Sequence, residues 1–138
     1  MDKLKIKNEY PPNYEKIKAA FDVDGKEVCF AYGDTIYNPL KGDIPEHLMV
    51  HEAIHSKQQN TDPEGWWDRY LTDPMFRLEQ EIQAYASQYI YVKRLYNEKV
   101  YSTFLDGLAH DLASEIYGNI ITFDKARSAI RRFASTMV

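Results

Sequence analysis

The chain of 138 residues contains one cysteine and no long run of apolar residues. A single cysteine cannot form an internal disulfide bond, so the fold does not depend on an oxidising compartment. No apolar stretch approaches the roughly 20 residues that a membrane-spanning helix needs. The charged segment 1–7 also lacks the apolar region of a signal peptide. We therefore expect a cytoplasmic protein with no membrane partner.

Basic residues are outnumbered: 17 Lys and Arg stand against 21 Asp and Glu, which gives a formal net charge of −4. This balance argues against nucleic acid or an anionic membrane as the main partner, because both attract basic proteins. The hydrophobic content of 44% and the charged content of 28% are ordinary for a globular protein. The length is enough for one core, so residues 1–138 are predicted to form a single domain.

The sequence does contain one pattern with a chemical meaning: residues 51–55 read His-Glu-Ala-Ile-His, which is the HExxH pattern. On a helix, His51 and His55 are one turn apart on the same face, so their imidazoles can bind one Zn²⁺. Glu52 is turned away from the metal enough to reach a metal-bound water as a general base. The alternative is two helical histidines that match the pattern by chance.

The surrounding residues predict that this pattern lies inside a helix. Asp43 is a candidate N-cap, Pro45 falls in the first turn and Glu46 occupies the capping-box position. No Gly or Pro follows before Pro63, so the helix is predicted to run from Ile44 to about Gln59. The two histidines then belong to the middle of a helix, as a rigid metal site requires.

A catalytic zinc needs a third protein ligand. His47 lies on nearly the same face of the first helix, and three ligands on one straight helix cannot surround a tetrahedral metal. A second helix, with Asp at its N-cap, is predicted from Pro74 to about Asn97. Glu81 is about 60° from the centre of its apolar stripe and Glu79 about 100° away. Glu81 is therefore expected to point into the space between the helices as the candidate third ligand, and Glu79 to face the solvent. The alternative for Glu81 is an ordinary surface carboxylate.

Residues 51–55 and the segment Glu81-Ile82-Gln83-Ala84-Tyr85 together resemble the HExxH…ExxA pattern of gluzincin metallopeptidases. More narrowly, residues 35–89 are similar to the minimal gluzincins of phages, prophages and bacteria. The resemblance implies hydrolysis of a peptide or protein substrate, with Zn²⁺ held by His51, His55 and Glu81 and with Glu52 as general base. It also implies an α+β, mostly helical fold: a zincin-like core with an active-site helix, a second metal-ligand helix and a small β-hairpin or sheet.

Two parts of the site stay open. Thermolysin-like gluzincins carry an Asn-Glu-x-x-Ser-Asp segment around the third ligand, and this chain does not, so the group that orients a ligand histidine is not identified. The oxyanion also needs a hydrogen-bond donor beyond the metal. Tyr85, one turn after Glu81, is the first candidate, and Tyr89, Tyr37 and Tyr117 have the same chemistry.

The N-terminal third is predicted from its caps and turns. A helix is expected from Tyr14 to about Phe21, with Asn13 as its cap. Strands over 27–32 and 35–37, joined by a turn at Gly33, form a predicted hairpin. The resemblance implies that one of these strands pairs with extended substrate. The alternative is a hairpin that only covers the core.

Three further helices complete the prediction. A short helix that begins at residues 62–64 carries Trp66 and Trp67, of which only one is expected to pack in the core, because adjacent helical side chains point about 100° apart. The last two helices are expected over 102–116, with Gly118 after its end, and over 123–136, capped by Thr122.

A second class of function also fits the sequence: a zinc-binding structural or interaction module of a phage or prophage, without hydrolysis. A fourth protein ligand, from His47 or elsewhere, would close the site and favour this class, whereas Glu52 has no use in a closed site. A narrower variant is a prophage gluzincin that cleaves repressors. Such proteins work with a DNA-binding partner, and the sequence shows no region basic enough for DNA contact.

Overall fold

The computed structural model describes residues 4–137, which form a mostly helical α+β structure with a small sheet. In chain order the elements are β1 (Lys5–Lys7), α1 (Tyr14–Ala20), β2 (Phe30–Tyr32), β3 (Thr35–Tyr37), α2 (Glu46–Gln59), α3 (Pro63–Thr72), α4 (Pro74–Leu95), α5 (Glu98–Leu112), a 3₁₀ turn (Glu115–Tyr117) and α6 (Phe123–Ser135). No helix among residues 4–137 is long and apolar enough to cross a membrane.

The 22-residue helix α4 is central and packs against α2, α3, α5 and α6. Its C-terminal half shares a core with α5 and α6, in which Ala86, Leu105, Leu112, Ala126 and Ile130 are at most 1% exposed. Alanine on α4 and α6 lets these helices approach closely, and each buried leucine or isoleucine contributes about 1.5–3 kcal/mol. Another side of α4 faces α2 over residues 80–91, and α3 contacts Gln80 and Glu81.

The sheet has the strand order β1-β3-β2, with β1 parallel and β2 antiparallel to β3. The predicted hairpin is confirmed, and Gly33, at φ +62°, makes its turn. Strand β2 begins at Phe30 and not at Glu27, because the preceding residues form a turn in which the Val28 N–H donates to the Lys26 carbonyl. Strand β1 was not predicted, since three alternating residues are too short a signal.

Helix α2, which carries the HExxH pattern, begins at Glu46, two residues later than predicted. Pro45 is its N-cap residue, no side chain caps it, and Asp43 lies outside the helix. The physical reason is that a residue before proline is restricted to extended backbone, so Ile44 is not helical. The end of the helix at Gln59 is as predicted.

The side-chain caps explain where the later helices start. Asp73 caps α4 and Thr122 caps α6, as predicted. Helix α5 spans Glu98–Leu112, four residues earlier than expected at both ends. The reason is that Asn97, which was expected to end the preceding helix, accepts a hydrogen bond from the Val100 N–H and so caps α5.

Three smaller boundaries also differ from the prediction. Helix α1 ends at Ala20, one residue early, and Asn13 makes no side-chain cap bond. Gly118, at φ +93°, ends the 3₁₀ turn and not α5. Helix α6 ends at Ser135, one residue before the expected position.

Both tryptophans of α3 are buried, which corrects the expectation that only one would pack in the core. Trp66 donates its indole N–H to Gln80 on α4, whereas Trp67 donates to the carbonyl of Ala31 on β2. Helix α3 therefore lies between α4 and the sheet, and two adjacent faces of it are covered. Trp66 also reaches the ring of His55, with 5.3 Å between ring centroids.

Candidate metal centre

Three polar side chains from two helices converge on one buried point. His51 and His55 lie one turn apart on α2, and Glu81 lies on the facing side of α4. Glu81 Oε1 is 3.0 Å from His51 Nε2 and 3.2 Å from His55 Nε2, and the two Nε2 atoms are 3.2 Å apart. These residues, which we call the His-His-Glu group, are at most 6% exposed. They are the three predicted ligands, and they could hold a metal ion.

The spacing of these three donor atoms suits a small tetrahedral cation. Ligand bonds of about 2.1 Å in tetrahedral geometry separate the donors by about 3.4 Å, and the observed separations are 3.0–3.2 Å. Two imidazole lone pairs and a carboxylate oxygen repel one another at this distance, and burial prevents water from screening the repulsion. A proton or a metal ion must therefore lie among them.

The second ring nitrogen of His55 is held by Gln58, one turn further along α2. His55 Nδ1 is 2.8 Å from Gln58 Oε1, and the Gln58 amide nitrogen donates to the Gln80 carbonyl and to Gln83 Oε1. A backbone carbonyl only accepts, so Gln58 presents its oxygen to the imidazole. The proton of a neutral His55 is then on Nδ1, and Nε2 keeps its lone pair for a metal.

A glutamine of α4 contacts His51 in the same way. Gln88 Oε1 is 2.9 Å from His51 Nδ1, and the Gln88 amide nitrogen is 2.8 Å from His47 Nδ1. His47 thus faces Gln88 and does not join the His-His-Glu group. Gln58 and Gln88 therefore occupy the position of the group that orients a ligand histidine, which was not identified from the sequence. Gln88 follows Glu81 by two helical turns, and this spacing is the signal that could have identified it.

The other oxygen of Glu81 is held by Tyr70 of α3, whose hydroxyl donates to Oε2 at 2.6 Å. Burial raises the pKa of Glu81, but the charges and hydrogen bonds of His55 and His51 outweigh it and hold this pKa well below its usual range. Burial lowers the pKa of His55, but Glu81 outweighs this effect and raises it to about 9. The two shifts are opposite because Glu81 Oε1 and His55 Nε2, 3.2 Å apart, stabilise each other's charged form.

Glu52 lies beside the His-His-Glu group with an unpaired carboxylate oxygen. The residue is 5% exposed, and its Oε2 has no hydrogen-bond partner among residues 4–137. Burial raises the pKa of Glu52, although nearby His51 and His55 oppose the shift. An unpaired buried oxygen costs about 1–3 kcal/mol, and such a group, with a perturbed pKa, indicates a functional site.

Two of the four candidate tyrosines border this site. The Tyr85 ring packs edge-on against His51, with centroids 4.5 Å apart, and its hydroxyl is 2.7 Å from that of Tyr117. Burial, above all, raises the pKa of both tyrosines well above the usual value, so both stay protonated. Tyr37 and Tyr89 are also buried, but they line neither of the two cavities that border His51 and Glu52.

Two adjoining cavities border His51 and Glu52. The larger, of about 410 Å³, is a cleft whose walls include Tyr85, Gln88 and Tyr117. The smaller, of about 70 Å³, has mainly apolar and aromatic walls and also borders the rest of the His-His-Glu group. Glu52, whose Oε2 atom is unpaired, therefore lines both cavities.

A buried arginine connects the segments that carry the site hydroxyls. Arg77 of α4, 5% exposed, donates to the carbonyl of Tyr70 at 2.7 Å and to that of Tyr117 at 3.1 Å. Its guanidinium also lies over the ring of Phe21, 4.9 Å from the centroid. The sequence offered no signal for this role, because the two carbonyls are 7 and 40 positions away in the chain.

The end of α2 is attached to the hairpin by Gln59. Its amide group accepts from the Gly33 N–H and donates to the Ala31 carbonyl, both at 2.7 Å. Trp67 donates to the same carbonyl. The edge of β2 is thus occupied at Ala31 by side chains of the protein, which supports the core-covering role at this position. Pairing of the strand with substrate stays a prediction.

The His-His-Glu group has no fourth histidine, cysteine, aspartate or glutamate among residues 4–137. Cys29 borders both cavities, but burial raises the pKa of its thiol to about 11, which disfavours the thiolate that a metal ligand requires. Glu79 is exposed, as predicted. The group therefore leaves room for a ligand that is not a protein side chain.

The chain matches no protein-family model, and neither a curated protein nor a solved structure matches it.

Proposed function

We propose that the protein is a zinc-dependent peptidase of the minimal gluzincin type found in phages and prophages. The observation that carries this proposal is the convergence of His51, His55 and Glu81 beside the unpaired carboxylate oxygen of Glu52. The packing of the HExxH helix α2 against the ExxA helix α4 also supports a zincin-like core.

The donor set favours zinc. Two imidazole nitrogens and one carboxylate oxygen form a ligand set of catalytic zinc sites, which keep a further position open. Zinc, when bound, polarises the scissile carbonyl and acidifies an attacking water. His51, His55 and Glu81 would hold the ion, while Gln58 and Gln88 keep the imidazoles oriented.

Glu52 is the general base of the proposed reaction. Its free Oε2 can accept the proton of the attacking water and then deliver a proton to the leaving amine. Both steps require a carboxyl that gains and loses a proton readily near neutral pH. Burial raises the pKa of Glu52 in that direction.

A tyrosine hydroxyl is the proposed donor to the oxyanion. Tyr85 and Tyr117 both border the cleft, and their hydroxyls form one hydrogen bond with each other. Because one hydroxyl donates in that bond, the other O–H proton is free to donate to the substrate. Tyr85 is the first candidate for this role and Tyr117 the second.

A non-catalytic zinc-binding module of a phage or prophage is the second candidate function. The observation that favours it is burial, since His51, His55 and Glu81 are at most 6% exposed. The ion would then join α2 to α4. In this function Glu52 has no role. Its unpaired buried oxygen would then cost about 1–3 kcal/mol without any functional benefit.

Metal content and peptide hydrolysis of four proteins test the proposal: the wild type, Glu52→Gln, Glu81→Ala and Glu79→Ala. The wild type should contain about one zinc ion per chain and cleave members of a mixed peptide library. Glu52→Gln should keep zinc and lose activity by about 10²–10⁴-fold, because it removes only the base. Glu81→Ala should lose zinc. Glu79→Ala, the matched control on the exposed face of α4, should behave as the wild type.

Two results would contradict the peptidase proposal. Wild-type protein that holds zinc but cleaves no peptide under any condition would favour the non-catalytic module. Wild-type protein without a stoichiometric transition metal would contradict both functions.

A further inference from the structure

A second charged region lies between the C-terminal half of α4 and helix α6. A groove of about 830 Å³ is lined there by five basic residues: Lys93, Arg94, Arg127, Arg131 and Arg132. They are five of the 17 Lys and Arg residues of the chain. Among residues 4–137, no aspartate or glutamate lines this groove, which we call the cationic groove.

Most of these cations have no acidic partner within the part of the chain that the structure describes. Arg127 donates to Asp106 at 2.7 Å. The Lys93 ammonium lies over the rings of Tyr89 and Tyr101, 5.8 and 5.5 Å from their centroids, which leaves its charge uncompensated. No carboxylate in the described part of the chain lies within 4.0 Å of the other three cations. The groove is therefore positive within a protein of net charge −4.

Such an arrangement has an electrostatic cost that an anionic partner would remove. Unpaired like charges on neighbouring helices repel one another, and the repulsion turns into attraction when a negative group enters between them. Arg127 and Arg131 are one turn apart on α6, and Arg94 contributes from α4. The cations thus surround the groove from two sides.

The cationic groove continues into an apolar pocket of about 440 Å³. Ile90 and Arg94 border both spaces. The pocket also includes Leu95 and Met137, which are 59% and 41% exposed. Large exposed apolar side chains beside unpaired arginines are a combination found at protein contact surfaces.

We propose that the cationic groove and the adjoining apolar pocket together bind a segment of a partner protein that carries several carboxylates next to a large apolar side chain. Single-stranded nucleic acid fits less well, because Tyr89, the one aromatic side chain among the groove residues, is 4% exposed and offers no stacking face. A membrane surface fits less well, because the cations line a concavity.

The cationic groove is separate from the His-His-Glu group and shares no lining residue with the two cavities there. Lys93 and Arg94 follow Glu81 along α4 by roughly twelve residues, which corresponds to about 18 Å along the helix axis. A partner can therefore occupy the groove without entering the cleft beside Glu52.

Fluorescence anisotropy with labelled synthetic peptides tests this inference. The main probe is a short peptide with several glutamates around a central leucine. Its matched controls replace each glutamate by glutamine or the leucine by serine, and the other probes are oligothymidylate and phosphatidylglycerol vesicles. The variants are Arg94→Glu/Arg131→Glu in the groove and Leu95→Ala in the pocket. Lys125→Glu is the matched control, since this exposed residue of α6 lies outside the groove.

The wild type should bind the acidic leucine peptide about tenfold more tightly than either matched peptide, and the affinity should fall with added salt. The double variant should weaken binding about tenfold or more, and Leu95→Ala by several-fold. Lys125→Glu should bind as the wild type does. Circular dichroism and thermal unfolding identify any variant that fails to fold, and Arg94→Gln/Arg131→Gln then replaces the charge reversal.

Three results would overturn the inference. Acidic peptides that fail to bind, or that bind the groove variants as tightly as Lys125→Glu, would show that the groove is not their site. Tighter binding of oligothymidylate or vesicles would assign the groove to those partners. Self-association of the wild type that the double variant abolishes would assign it to a second copy of this chain.

Discussion

At the scale of single residues, the candidate metal centre has a neutral glutamine at each position where a histidine that binds a metal would need a hydrogen-bond acceptor. Gln58 and Gln88 accept from the Nδ1 atoms of His55 and His51. An amide oxygen fixes the tautomer as a carboxylate does, but it adds no negative charge to a buried site. The negative charge around the candidate metal position therefore comes from Glu81 and, when ionised, Glu52.

Gln58→Leu should lower the affinity for zinc by about 10–100-fold, because it removes the acceptor of His55 Nδ1 without changing a ligand. Competition with a chromophoric chelator measures the affinity. Gln83→Leu is the matched control, since Gln83 contacts the Gln58 amide and not an imidazole, and its effect should be smaller. Wild-type affinity in Gln58→Leu would show that Gln58 does not orient His55.

Tyr70→Phe should destabilise the protein by about 1.5–3 kcal/mol, because the buried Oε2 of Glu81 loses its hydrogen-bond donor. Urea unfolding in the presence of a chelator measures this loss without a contribution from metal binding. Tyr14→Phe is the matched control, since its hydroxyl donates to the exposed Asp24 and the loss should be smaller. Equal losses in the two variants would contradict a special role of Tyr70 at Glu81.

At the scale of elements, helix α2 is positioned by polar contacts. Its buried residues are His51, Glu52, His55 and Gln59, all of them polar. A helix that buries a polar face gains little from the hydrophobic effect, so its place depends on hydrogen bonds to its neighbours. Those bonds run to the hairpin, through Gln59, and to α4, through the His-His-Glu group and its glutamines.

Gln59→Leu should destabilise the protein by about 2 kcal/mol or more, because it leaves the Gly33 N–H without its partner and weakens the contact with Ala31. Urea unfolding measures the loss. Amide hydrogen exchange over residues 30–37 should become faster, since the hairpin loses its attachment to α2. Lys57→Leu, on the exposed side of the same turn, should change the stability by about 0.5 kcal/mol or less. Unchanged exchange in Gln59→Leu would contradict the attachment.

At the scale of the whole molecule, the His-His-Glu group connects three helices. His51 and His55 belong to α2 and Glu81 to α4, and Tyr70 extends the contact to α3. An ion bound there stabilises only the arrangement in which these helices are packed together. Metal binding and folding are therefore expected to be coupled.

Zinc should raise the unfolding free energy by about 2.7 kcal/mol when its free concentration is 100 times its Kd. Thermal unfolding with EDTA and with increasing buffered zinc measures the shift. Glu81→Ala should show no shift, while Glu79→Ala should show the full shift, because Glu79 is exposed. A wild-type melting temperature that does not respond to zinc would contradict the coupling.

The sequence by itself determined the features that have a local physical cause. The helical period placed His51 and His55 on one face and turned Glu81 towards the interior. Side-chain caps marked the starts of α4 and α6. Where two local signals competed the prediction was wrong: Pro45 displaced the start of α2, and Asn97 capped the following helix.

Only the tertiary structure decided which faces meet, and with them the partners of the site. Tyr70 and Arg77 contact atoms of residues 7 to 40 positions away, and no local pattern encodes such pairs. The burial of both tryptophans and the formation of the cationic groove also depend on how the helices pack. In the groove, α4 and α6 bring together basic residues that are far apart in the sequence of an acidic chain. Periodicity fixes the direction of a side chain within its own helix, whereas its neighbours depend on how the helices pack.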